Sequence, residues 1–345
     1  MRRLISTAAL IMAAAAFVHI DGVSILPLAA QDRVAGVLAE AKKALGGADK
    51  VAALKALTAE GPFRRSMGGR DMEGVMTLTI VRPDKMRRVE EISMGGMVGG
   101  PMMERTSVLA GNIAWDDMAN RGGMGGGMQI RMMEGPGPGG PGGPGGAAPL
   151  TEEQLNEARV RRARVQLHRW MAALVTDGPA PWTDAGIAES PDGKADILET
   201  KEETGRVLRL FIDQQTHLPL MVQYQDPKPM VMINGGPGGP GGPGRGPGGP
   251  GRGPGGPPPG AGGAGGGGGR PQMTPEEMQK RVEEMRKNPP ALGTYAMHLG
   301  EYKKVDGVML PHKIDISLDG QPNEEWTVEK YKVNPTIKAD TWEKK

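Results

Sequence analysis

The chain has 345 residues, of which 56 are glycine, 31 proline, 5 histidine and none cysteine, and its 42 Lys and Arg nearly balance 40 Asp and Glu at a net charge of +2. That balance gives no whole-molecule electrostatic case for nucleic acid. The lack of cysteine excludes disulfides, thiolate metal centres and an acylated lipobox cysteine.

The first residues read MRRLISTAALIMAAAAFVHIDGVSILPLAAQ. Two arginines precede an apolar run from Leu4 to Val18, and small residues follow up to Ala30. This is the pattern of a Sec-type signal peptide, with cleavage after Ala30. The run is short for a membrane span, which needs about 20 residues. A periplasmic location is expected, with N-terminal anchoring or secretion as the alternatives. Without residues 1–30 the net charge is +1. Aromatics are 3% of the chain, so the core must come from Leu, Val, Ile, Ala and Met.

In QDRVAGVLAEAKKALGG, Val34, Leu38, Ala41 and Leu45 share a helical face, and Gly46-Gly47 stops the helix. A short helix is expected in ADKVAALKAL. In EGVMTLTIVRPDKMRRVEEIS, Met76, Leu78 and Ile80 alternate with polar or outward residues. Pro83-Asp84 supplies the turn and KMRRVEEI the returning strand. RTSVLAGNIAWDD gives two more strands around Gly111-Asn112. Residues 118–149 then lose all periodicity, as do residues 232–273, which are rich in Gly and Pro. The glycine frame needed for a collagen helix breaks within a few triplets in both tracts.

Between the tracts, LTEEQLNEARVRRARVQLHRWMAALV is the clearest helix, with Thr151 and Gln154 as a capping box. DGKADILETKEETGRVLRLFIDQQTHLPLMVQYQ reads as three consecutive strands. A capped helix at 274–287 precedes the strands of TYAMHLGEYKKV, VMLPHKIDISL and EEWTVEKYKVN, with Asp306-Gly307 and Asp319-Gly320 as turns. Strands joined by short turns make an antiparallel sheet. The expected class is α+β: a curved antiparallel sheet, an incomplete barrel, covered on its concave face by helices. Residues 31–345 form one domain in this reading, interrupted by the two tracts.

No catalytic motif is present. In DQQTHLPL and in DGVMLPHKI an aspartate and a histidine flank a turn. The proline opening a strand and the turn-bonding side chains favour hairpin corners over acid–base chemistry for Asp213 and His217. The adjacent carboxylates Glu90-Glu91 and Asp116-Asp117 point to opposite strand faces or lie in turns. His168, His217, His298 and His312 share no ligand spacing, although His298 and His312 can meet across strands. Met94, Met97, Met102, Met103, Met118, Met124, Met128, Met132 and Met133 cluster in glycine-rich sequence. Thioethers suit Cu(I), but their irregular spacing favours an apolar role. Arg159, Arg161, Arg162, Arg164 and Arg169 on the long helix read as a solvated face balanced by Glu152, Glu153 and Glu157, with a peripheral contact to lipid headgroups as the other reading. No metal or cofactor is expected.

The segments EAKKALGGADKVAALKALTAEG, VRPDKMRRVEE, GNIAWD, LRLFIDQQTHLPLMVQY and GEYKKVDGVMLPHKIDISLDGQPNEEWTVEKYKVNP, in that order, resemble exported bacterial proteins of the LolA/LolB-like lipoprotein-sorting type. The resemblance spans about residues 31–117, 150–230 and 291–345. It implies a half-barrel with an apolar cavity under helices that holds a hydrophobic or lipid ligand, such as a lipoprotein acyl chain, without transforming it. Alternation then nominates Met76, Leu78, Ile80, Trp115, Leu208, Leu210, Ile314, Ile316 and Trp326 as cavity wall. Trp170 and Leu174 are nominated on the covering helix. A one-residue error of register would invert the face. An interaction or envelope-sensor module of the same fold is the alternative function, and a Met-rich copper binder a second.

Overall fold

A computed structural model describes residues 28–67, 70–93, 102–121, 151–191, 193–229 and 291–344. The order is α1 (Leu28–Ala44), α2 (Ala48–Ala53), β1 (Ala56–Met67), β2 (Arg70–Val81), β3 (Lys85–Ser93), β4 (Met102–Ala110) and β5 (Ile113–Arg121). After them come α3 (Glu152–Val175), β6 (Thr183–Ser190), β7 (Gly193–Lys201), β8 (Val207–Asp213) and β9 (Pro219–Pro227). Last are β10 (Leu292–Val305), β11 (Val308–Leu318), β12 (Gln321–Thr327), β13 (Lys330–Val333) and a single 3-10 turn at Ala339–Trp342. The helix expected at 274–287, both Gly/Pro tracts, residues 1–27 and most of the methionine cluster lie outside the described residues. The first turn of α1 straddles the expected cleavage point at Ala30.

All thirteen strands of the described residues join one antiparallel sheet, ordered β5-β4-β3-β2-β1-β12-β11-β10-β9-β8-β7-β6, with β13 also on β1. The sheet is open, ending at β5 and β6. The described fold is therefore mostly sheet with few helices, and α+β overstates its helical part. The sheet is strongly curled. One side chain, Arg164 of α3, reaches both Asn112 in the β4–β5 turn (3.4 Å) and Glu203 in the β7–β8 turn (3.3 Å), near opposite ends of the strand order. Flat strands about 4.8 Å apart would hold those turns tens of ångströms away from each other.

Strand β1 is the seam. Its residues Leu57–Glu60 pair with β13 and Phe63–Arg65 with β12. Gly61 and Pro62 fall between the two pairings, where a missing N–H costs no ladder bond on that side. A Cβ on Gly61 would stand 2.0 Å from the Thr327 carbonyl oxygen, so only glycine fits there. The edge strand β6 carries a register shift at Gly186 (φ 98°), whose N–H donates to Asp184. Such a bulge discourages further strand pairing. Helix α1 packs on β6, and Arg33 ties it to Asp184 and to Asp196 of β7.

Helix α3 starts with the expected capping box, Thr151 with Gln154. Its N-terminal half is mostly solvated. Its C-terminal turns change character: Trp170 and Ala172–Val175 are all buried, so that half lies inside the curl. Trp170 meets Trp326 of β12 edge-on, with ring centroids 5.7 Å apart. One continuous core joins α1, α2, α3 and the inner face of the sheet.

Candidate functional site

Register defines the inner face. Leu198, Leu210, Val222, Met297 and Ile316 form one cross-strand row on β7, β8, β9, β10 and β11. Ile80 pairs across to Leu57 and Met86, and Leu78 to Ala59 and Arg88. The nominated wall residues Met76, Leu78, Ile80, Leu208, Leu210, Ile314, Ile316 and Trp326 all lie in this buried set, as do Trp170 and Leu174 of α3. Trp115 does not join them. Its register partner Val108 and neighbour Ala114 place it on the other face. There its indole N–H donates to the Trp342 carbonyl, 3.2 Å away.

The inner residues touch α3 and each other. At the junction of α3 with the start of β1, an apolar void of about 10 Å³ lies among Leu54, Leu57, Ile80, Met171, Leu174 and Val175. That is room for about one water. An open polar recess of about 520 Å³ flanks the N-terminal half of α3, bordered by Glu153, Glu157, Arg161, Arg164 and Glu203. In this state the hollow of the sheet is occupied by the protein's own helix.

Two ionic clusters sit inside. On α3, Arg169 is only 4% exposed. Its Nε and Nη2 donate to the two Glu202 oxygens (2.7 and 3.1 Å), and Nη1 donates to Asp226 (2.8 Å). The guanidinium lies 3.8 Å over the Tyr224 ring, which stacks on Tyr295. Burial opposes the Arg169 charge, but Glu202, Tyr224 and Asp226 outweigh it and keep it protonated. Burial pushes the Tyr224 phenol up, so it stays neutral between Arg169 and the nearby carboxylates.

The second cluster spans β12, β1 and β3. Arg65 Nε donates to Glu324 (2.7 Å) and Nη2 to Glu90 (2.6 Å). Arg88 Nη2 donates to Glu324 (3.1 Å) and forms an ion pair with Glu90 (2.6 Å), which closes a ring of alternating charges. These four side chains are between 3% and 17% exposed. Burial opposes the Glu90 charge, but Arg88 and Arg65 outweigh it and hold the carboxyl down at about 2. The ring also meets the apolar row directly, since Ile316 pairs with Glu324 and Glu324 with Arg65.

Both clusters escape a sequence reading. Arg169 sits in a run of exposed arginines and differs from them only in phase. Arg65, Arg88, Glu90 and Glu324 are up to 259 residues apart. The alternation of Met86, Arg88, Glu90 and Ile92 does put charges on an apolar face, and that mismatch was the available signal.

Asp213 accepts from the Gln215 amide (3.0 Å), and His217 (φ 58°) donates its own amide to the Asp213 carbonyl, so both serve the β8–β9 turn. Burial works against the Asp213 charge, but the Thr216 and Gln215 amides hold its carboxyl below the ordinary range. His298 stands opposite Asp315, on the other face from His312, and the two do not meet. His312 Nδ1 contacts the Val328 carbonyl at 2.7 Å. Among the described residues no three His, Asp or Glu side chains are grouped to hold a metal, and Met103 is buried on the inner face.

The solved structures to which the chain is similar include these three. One is a domain from Vibrio parahaemolyticus described as an outer membrane lipoprotein-sorting protein, at 9% identity and TM-score 0.39. Another is a DUF1329 family protein from Desulfovibrio piger, at 10% and 0.33. The third is a LolA superfamily protein from Nitrosomonas europaea, at 7% and 0.37. Each match covers 90% of this chain and 97% of the other. No protein-family model and no curated protein matches.

Proposed function

We propose that the protein is exported to the periplasm and there binds an apolar or lipidic ligand on the inner face of its sheet, without transforming it. The supporting observation is the apolar inner face, built from strands on both sides of the seam and covered at its centre by the C-terminal turns of α3. A chain that displaced Trp170 and Leu174 of α3 would meet Met76, Leu78, Ile80, Leu208, Leu210, Ile314, Ile316 and Trp326. Each square ångström of apolar surface so covered contributes about 25 cal/mol. The ligand must therefore compete with α3 for the same surface. Polar ties hold α3 at Arg169 and, just beyond its C-terminus, at Asp177, which pairs with Arg82 and Lys42.

The filled interior also favours a second reading, a protein-interaction or envelope-sensor module whose helix never leaves. Native mass spectrometry of protein taken from the periplasm, followed by organic extraction, separates the two. Recovered acyl chains at near one per protein are the expected result. A protein that is always empty, and stays empty when mixed with lipid, overturns the ligand reading.

A further inference from the structure

The charge ring holds one atom that its own partners leave unserved. Arg88 Nη2 reaches both carboxylates of the ring, while Arg88 Nε–H is buried with no acceptor among the described residues. A buried donor without a partner costs about 1–3 kcal/mol, and more on a charged group. Register sets Leu78 of β2 on one side of Arg88 and Ser107 of β4 on the other. Side chains facing each other across such pairs are neighbours. The Ser107 hydroxyl makes no hydrogen bond among the described residues. Arg105 adds its field at Glu90, so an acceptor arriving here meets three guanidinium groups and two carboxylates. The apolar residues Leu78, Met76 and Ile80 begin within the same three strands.

We propose that Arg88 Nε–H, with Ser107 beside it, is the headgroup subsite for an amphiphile carrying a single carboxylate or phosphate, whose hydrocarbon chain lies along the apolar inner face of β1–β3. This rests on the ligand reading above and narrows it. A purely hydrocarbon guest has no use for an ion ring at the end of an apolar row. An anion supplies the missing acceptor, and a hydrogen bond between ionised partners is about twice as strong as a neutral one. The ring's own carboxylates hold the Nη side of Arg88, which leaves Nε–H as the donor for the guest.

The test is calorimetric titration of the full-length mature chain with decyl phosphate, decanoate, 1-decanol and inorganic phosphate, each below its aggregation limit. Both anionic amphiphiles should bind at least about tenfold more tightly than decanol, the equivalent of one charge-assisted hydrogen bond. Arg88→Gln should abolish that preference, so that decyl phosphate, decanoate and decanol bind it alike. In the unaltered protein, the Arg88 ¹⁵Nε–H resonance, assigned with Arg88→Lys, should shift with decyl phosphate and not with decanol. That readout does not depend on the stability of Arg88→Gln. Equal affinity for all three decyl compounds, a preference that survives Arg88→Gln, or an unmoved Nε–H resonance overturns the headgroup subsite alone. Inorganic phosphate binding as tightly as decyl phosphate overturns it too, by showing a free-anion site. Failure of every decyl compound, decanol included, overturns the ligand reading with it.

Discussion

Glu90 is the residue on which the ion ring turns, because its carboxylate is shared by Arg65 and Arg88. Removing one partner from a buried ionic group strands the others, and typically costs about 3–5 kcal/mol. Glu90→Gln should therefore lower stability at neutral pH by roughly that amount in a urea titration. The same residue sets an acid dependence. Its carboxyl titrates near 2 in the folded chain, below the 4.5 of a free glutamate. A depressed acid contributes its stability in full above the unfolded value and loses it as pH falls through the folded one. The unaltered protein should thus weaken between about pH 4.5 and pH 2, and Glu90→Gln should show a shallower fall over that window. Parallel curves for the two proteins would mean that other carboxylates govern the acid limb.

At the scale of elements, α3 is the part that decides between an occupied and a free inner face. Its buried Arg169 faces Glu202, whose side chain is 1% exposed. Arg169→Met leaves that carboxylate unpaired and should destabilise by roughly 3 kcal/mol, while Arg169→Met with Glu202→Leu should recover most of the loss. Hydrogen exchange at Leu167–Val175 should quicken in the single variant and return in the double. Unchanged exchange in the single variant would assign the helix's hold to apolar contacts alone. The sequence marked this helix well, since caps and a 3.6-residue stripe are local signals. It marked hairpins equally well where the turn chemistry was local, as at Pro83-Asp84, Gly111-Asn112 and Asp306-Gly307. It hid β1, whose Gly61-Pro62 reads as a break until the switch of partners from β13 to β12 explains it. It hid β6 as well, because TDAGIAES is polar and bulged, as suits an edge. EEWTVEKYKVN reads as one strand, yet it divides at Val328-Glu329 into β12 and β13.

At the scale of the whole molecule, the inner face is assembled from strands far apart in the chain, so alternation could list its residues without saying what stands opposite them. Ten of the eleven nominated side chains share one buried cluster for that reason, while Trp115 lies outside it. The ion ring needed the register of β12 against β1, which no local pattern carries. The same sheet fixes what the Gly/Pro tract at 232–273 has to do. Residues 230–290 join β9 to β10, and those strands are direct neighbours, with Leu292 opposite Pro227. The ends of the connection are thus held together by the ladder whatever its length. Loop closure changes by only about 0.6 kcal/mol for each halving of a flexible loop. Deleting Gly235–Gly269 should therefore move the melting temperature by no more than about 2–4 °C, a shift worth about 1 kcal/mol in a chain of this size. Scanning calorimetry of the deleted and full-length chains makes the comparison directly. A drop of ten degrees or more would show that the tract packs on the sheet, and that the described strands are not the whole of the folded unit.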